Sequence, residues 1–314
     1  MVPWYLYVGF IAFVIAMLLV DLKLFHADEH EPTLKESGTW VAIWVTLAVL
    51  FGVGVLLWGG GPTVAAEYFA GYLIEYSLSV DNMFVFVLIF NYFRVPFAYQ
   101  HQVLFYGILG ALFFRGVFIA LGVALISNFE WVIYVFAIFL VITAVRLALG
   151  SEEVDPEHNP VLKFLQRRVR TVPRYDKQKF FTIENGRRVA TPLLIVLLFI
   201  ELTDIVFAID SIPAIFGITQ RPFIVLTSNV FAILGLRALY FMLADVMNRF
   251  HLLKYGLALI LAFVGAKMLV EAGIPVVDFK MHVPIWFSLT VIVVVLGFTA
   301  FLSLKIPPKE ETPV

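Results

Sequence analysis

Apolar residues run in blocks of about 20 or more, parted by short polar stretches. The blocks fall at roughly 3–25, 38–59, 65–93, 102–127, 129–149, 191–218, 222–247, 252–272 and 283–304. About 20 apolar residues in a helix cross the hydrocarbon core of a bilayer. A helix also satisfies its own backbone there, where no water can. The pattern predicts an all-α polytopic membrane protein with about nine transmembrane helices. One long polar stretch, 150–190, interrupts it. Within this stretch Val161, Leu162, Leu165 and Val169 share a helical stripe beside Lys163, Arg167, Arg168 and Arg170. That spacing predicts a short basic amphipathic helix on the inner leaflet. Further on, Phe180 to Val189 predicts a β-hairpin turning at Asn185-Gly186, a pair suited to a type I′ turn. Thr191-Pro192 then predicts the cap and first turn of the sixth span.

The polar residues inside the blocks repeat. Glu75, Asp81 and Asn82 in the third span match Asp204, Asp210 and Ser211 in the sixth. Ile108-Leu109-Gly110 with Arg115 matches Ile233-Leu234-Gly235 with Arg237. Tyr134 and Arg146 match Tyr255 and Lys267, each pair twelve residues apart. Spans 3–5 therefore echo spans 6–8. Three spans separate the copies, so they run oppositely through the membrane, as inverted-repeat transporters do. The expected division is two N-terminal helices in 1–64, a first repeat in 65–149 and a basic loop in 150–190. A second repeat in 191–272 and a last helix with its tail in 273–314 complete it.

Composition narrows the class. The chain is 61% hydrophobic and 14% charged, against about 25% charged in a soluble domain. It has no cysteine, which removes disulfides, thiolate metal sites and thiol catalysis. The first block ends in Asp21-Leu-Lys23 and lacks a basic start, so it reads as a retained helix and not a cleaved leader. Nine Lys and Arg crowd residues 150–190. Threading from that loop puts Lys23, Lys35, Arg94, Arg249, Lys254, Lys305 and Lys309 on its side and only Arg221 and Lys280 on the other. The positive-inside rule makes the loop side cytoplasmic, the N-terminus external and the C-terminus internal, in a plasma or inner membrane. The basic loop is a solvated, membrane-proximal stretch, and no nucleic-acid partner is expected.

The five carboxylates Glu75, Asp81, Glu201, Asp204 and Asp210 carry the candidate chemistry. Each costs roughly 2.5–3.5 kcal/mol on insertion scales, and such groups face a bundle interior and mark pathways. Glu75 and Asn82 are seven apart, as are Asp204 and Ser211, so each pair shares a helix face. Pro213 lacks an N–H, which predicts an interrupted sixth span and an unbonded Ile209 carbonyl beside Asp210. Phe84 stands at the matching place in the first copy. The donors are all oxygen, a set suited to Mg²⁺, Ca²⁺ or Mn²⁺. The expectation is one metal-binding cluster of Glu75, Asp81, Asn82, Glu201, Asp204, Asp210 and Ser211. Arg115 and Arg237 are expected to pair with two of the acids. The acids outnumber them, and a dication or protons would offset the excess. The cation is then cargo, and no bound cofactor is expected.

Other polar and aromatic positions have plainer explanations. Glu67, Asp21, Glu130 and Asp245 sit near span ends, within reach of water. Phe84, Phe86, Phe90 and Phe93 read as packing or lipid-facing residues, and Gly107, Gly110, Gly256 and Gly265 as points of close helix approach. Two other classes compete with a carrier. Paired acids in neighbouring spans resemble intramembrane aspartyl enzymes, although their Gly-Leu-Gly-Asp type of motif is absent. A membrane scaffold or insertion factor acting through the loop is the other.

At Glu75-x5-Asp81-Asn82, at Glu201-Leu-Thr-Asp204-Ile-Val-Phe-Ala-Ile-Asp210-Ser211-Ile-Pro213 and at Phe223 to Tyr240, the chain resembles the TerC family of integral membrane proteins, named for tellurite resistance. The resemblance covers nearly the whole chain. It implies a non-enzymatic membrane protein linked to export of divalent metal, above all Mn²⁺. It also places the family's functional acids on Glu75, Asp81, Glu201, Asp204 and Asp210. Tellurite itself, an oxyanion, would find an acid-rich interior hostile.

Overall fold

The computed structural model describes residues 2–25, 33–58, 60–149, 159–184, 186–243, 252–273 and 282–306. It is an all-α membrane bundle with one small hairpin. In chain order the helices are α1 (Trp4–Phe25), α2 (Leu34–Trp58), α3 (Gly61–Tyr92), α4 (Phe97–Asn128), α5 (Val132–Ala148) and α6 (Pro160–Arg168). The hairpin strands β1 (Phe181–Glu184) and β2 (Arg187–Ala190) follow. Then come α7 (Pro192–Phe216), α8 (Pro222–Leu234), α9 (Leu236–Leu243), α10 (Leu253–Ala272) and α11 (Ile285–Lys305). Seven segments are long and apolar enough to cross a membrane, with α8 and α9 counted together, and Trp4–Val20 and Val132–Ala148 are shorter apolar helices. The α3 and α4 helices have 32 residues each. At 1.5 Å per residue each is about 48 Å long, so both overrun the ~30 Å hydrocarbon core.

Burial ranks the helices. The α3 and α8 helices are the most enclosed, whereas α2 and α11 turn mostly apolar side chains outward. Around α3, the α2, α7, α8 and α11 helices all pack; α4 packs on α7, and α5 lies along α10. Close approach of α5 and α10 depends on Gly265, where an added methyl would stand 2.9 Å from the Ala137 carbonyl oxygen. Trp4, Trp58, Trp131 and Trp286 are exposed at helix ends that threading places together, opposite the basic loop. Aromatic residues favour that interfacial level.

Local features depart from the sequence expectations in four places. First, α7 runs unbroken through Pro213 to Phe216. The proline still removes one donor, and the turn around it is held by packing: Ile212, Ala214, Ile215 and Phe216 are all buried. Second, one turn residue, Gly235, parts α8 from α9 inside the predicted seventh span while keeping near-helical angles (φ −80°, ψ −8°). A methyl there would meet the Trp44 Cβ at 3.3 Å. Third, the apolar stripe of α6 faces the bundle: Leu162 and Leu165 are buried in the core that includes Leu193 and Val196 of α7, and Val169 packs against it. Burial against protein competes with burial in the leaflet, and protein prevails for these residues. Fourth, Thr191 holds the N-cap position of α7 with Pro192 in its first turn, but its side chain makes no cap bond; its hydroxyl donates to the Lys179 carbonyl at 2.7 Å.

The hairpin pairs Phe181 with Ala190 and Glu184 with Arg187, leaving residues 185 and 186 as the connection. Gly186 takes a positive φ of 72°, the left-handed region the turn requires; Asn185 lies outside the described residues. The Arg188 guanidinium stands 4.3 Å over the Phe181 ring. Two contacts dock this loop on the α3–α4 turn. The Tyr175 hydroxyl donates to the Phe93 carbonyl at 2.7 Å, and Gln178 Nε2 donates to the Ala98 carbonyl at 3.1 Å.

Candidate functional site

Four long helices place polar side chains at mid-depth. Glu75 comes from α3, Arg115 from α4, Asp204 and Ser211 from α7, and Asn229 from α8. All five are buried. The Arg115 guanidinium is the hub. Its Nη1 donates to Glu75 Oε1 and, at 3.1 Å, to Ser211 Oγ. Its Nη2 donates to Asp204 Oδ1 at 3.4 Å. Asn229 Nδ2 donates to Glu75 Oε2 at 3.0 Å, and Ser79 Oγ reaches Glu75 Oε1 at 3.4 Å. Thus one cation bridges acids from the two motif helices, which is the pairing a buried charge needs.

Several polar atoms in this layer are buried without a hydrogen-bond partner: Asp204 Oδ2, Glu201 Oε2, Asn229 Oδ1 and Arg115 Nε. Three of the four are oxygen acceptors. Glu201 and Asp204 are three residues apart on α7, hence neighbours on one helix side. The half-buried Glu201 lies against Gly110 of α4, where any side chain would collide with its carboxylate. Gly110 thus gives Glu201 its seat between the helices.

The motif residues do not all converge. Asp210 is half-buried and turns to α5, accepting from Thr143 Oγ1 at 3.2 Å. Asp81 is half-buried and Asn82 buried on α3. By threading, α3 and α7 run in opposite directions. Asp81 lies six residues from Glu75, about 9 Å toward the loop end, and Asp210 lies displaced toward the opposite end. The acids form a ladder with the Arg115 layer in its middle, not the single cluster expected from the repeat. Among the described residues no three acidic or histidine side chains are placed to hold one ion together. Antiparallel copies account for this: an offset along one helix is reversed along the other.

Arg237 of α9 is buried and lines a cavity of about 20 Å³ with Asp204. Sequence reasoning missed Asn229, Thr143 and Ser79. A buried intramembrane asparagine is a signal in its own right, and Asn229 lies within the span that also carries Arg237. The Thr143 and Ser79 contacts had no comparable marker, since both residue types are common in membrane helices.

Comparison with known proteins follows the same outline. The model of the integral membrane protein TerC family matches residues 60–311. An uncharacterized membrane protein of Myxococcus xanthus is 51% identical over 300 residues, covering 95% of this chain and 92% of its own. A protein of Escherichia coli named putative membrane-bound redox modulator Alx is 46% identical over 304 residues, covering 94% and 92%. An uncharacterized membrane protein of Rickettsia bellii is 40% identical over 295 residues, covering 94% and 95%. No solved structure matches.

Proposed function

Because this chain belongs to the TerC family of integral membrane proteins, we propose that it is a secondary transporter that exports divalent metal cations, Mn²⁺ above all, in exchange for protons. One observation carries the reading. The buried Asp204 gives one carboxylate oxygen to Arg115 and keeps the other without a hydrogen-bond partner, and Glu201 Oε2, three residues away, is likewise unbonded. The five acids Glu75, Asp81, Glu201, Asp204 and Asp210 exceed the charge of Arg115 and Arg237. A dication offsets most of that excess, and protons do so when it has left. Carboxylate, amide and hydroxyl oxygens are the donors hard and borderline divalent ions take. Asp81 on one side of the layer and Asp210 on the other serve as approach and exit stations.

The packing supports an alternating-access cycle. Exchanging the two halves of an inverted repeat maps the α3–α8 contact onto the α7–α4 contact and α5–α10 onto itself, and all of these helices pack together. The excess of Lys and Arg on the loop side favours a cytoplasmic loop and an external N-terminus in the cell membrane. The redox modulator name belongs to the relatives. A chain without cysteine offers no thiol for such a role.

Manganese content of cells lacking other exporters tests the reading. Asp81→Asn and Asp210→Asn keep side-chain size and one acceptor oxygen but remove the charge. Both variants are expected to reach the membrane at normal level and to leave manganese unexported. Full export by both at normal level would refute the assignment.

A further inference from the structure

The cavity beside Asp204 has a direction. Its lining on α4 runs from Ala111 through Ile108 and Gly107 to Leu104, and on α7 from Asp204 to Ile200. On α3 it runs from Met83 to Phe86, and on α9 from Arg237 to Tyr240. In all four helices that progression leads toward the end where the basic loop docks. The cavity is thus a narrow extension of the carboxylate layer toward the loop side. Its volume of about 20 Å³ holds about one water, far less than a hydrated dication needs.

A polar pair closes its loop-side end. The Tyr240 hydroxyl donates to Gln100 Oε1 at 2.8 Å, and Gln100 Nε2 donates to the Val95 carbonyl at 3.1 Å in the α3–α4 turn. Both side chains are buried. Rings pack against Tyr240: Phe90 edge-on at 5.6 Å and Phe241 edge-on at 5.3 Å. Phenylalanine and leucine would fill these two places without burying polar atoms, and a buried amide and hydroxyl are costly unless bonded. Their oxygens are also ligands for a hard cation as it sheds water. That one hydrogen bond ties Tyr240 on the cavity wall to Gln100 near the start of α4.

We propose that this cavity is the loop-side access route to Asp204 and that the Tyr240–Gln100 pair is its gate. The proposal rests on the transporter reading above. The described structure has the gate shut. Opening requires α9 to part from the start of α4, and Gly235, the single turn residue between α8 and α9, is the point about which α9 bends in this proposal.

The cysteine-free chain allows a direct test. Ile108→Cys places one thiol on the cavity wall. Its reaction with a membrane-impermeant maleimide is timed in sealed vesicles of each orientation, with the native gate, with Tyr240→Phe and with Gln100→Leu. Labelling is expected from the loop side only, and roughly fivefold faster in either gate variant, the shift that loss of one net hydrogen bond gives. Unchanged rates in the folded gate variants would overturn the gate, and labelling only from the opposite side would overturn the route. Each variant serves if the other misfolds. Repeating the labelling with MnCl₂ separates the two readings. Faster labelling in the gate variants that Mn²⁺ does not slow would keep the gate and refute the cation cargo.

Discussion

Replacing Gly110 by alanine separates function from folding at a single carbon. The new methyl occupies the space of the Glu201 carboxylate. That obstacle is the far end of a flexible side chain, so it can rotate away while α4 and α7 stay in place. Alanine favours a helix over glycine by about 0.5–1 kcal/mol. Turning Glu201 off its preferred rotamer costs about 0.5–1.5 kcal/mol. The two nearly cancel, so Gly110→Ala should leave membrane level and thermal stability close to those of the parent. Glu201, however, is driven off its seat three residues from Asp204. Gly110→Ala should therefore lose manganese export to the same degree as Glu201→Gln. Gly265→Ala is the contrasting variant. Its methyl meets the backbone oxygen of Ala137 at 2.9 Å, and a backbone cannot rotate aside. Overpacking of that kind costs about 1–3 kcal/mol and should lower the amount of folded protein. The assays are cellular manganese content and membrane level of each variant. Full export by Gly110→Ala at normal level, with export lost in Glu201→Gln, would refute the claim that Glu201 works from its place against Gly110.

Two further outcomes follow from the geometry. Arg115→Ala leaves Glu75 and Asp204 buried without their shared cation; a cost of about 3–5 kcal/mol should deplete the folded protein in detergent thermal-shift measurements, and Arg115→Lys should rescue little because one ammonium cannot span both acids. In the loop, Asp176 is held below its ordinary value of 3.8 by the Thr182 hydroxyl, with Lys179, Arg174 and Lys177 adding to the effect. A lowered folded-state value stabilises the loop above the ordinary aspartate value, and that contribution is lost as pH falls through the folded value. Limited proteolysis of the loop should therefore accelerate as pH drops below about 4, and Thr182→Val should weaken that dependence.

Hydropathy alone located the membrane helices, because a bilayer forces apolar length and internal backbone bonding on each segment separately. The hairpin was equally local: a turn pair and two flanking strands need no distant partner. The five intramembrane acids were legible for the same reason, since the cost of a charge in lipid depends on depth and not on neighbours. Which acids meet was not legible. Glu75 and Asp204 come together only because Arg115, 40 residues from the first and 89 from the second, reaches between α3 and α7. Asp210 turns to Thr143 because α5 lies on that side of α7. Helix packing likewise decided that the α6 stripe faces protein and that α7 continues through Pro213. A periodic stripe marks an apolar face without saying what covers it. A proline or glycine permits a break, and only the neighbouring helices determine whether one occurs.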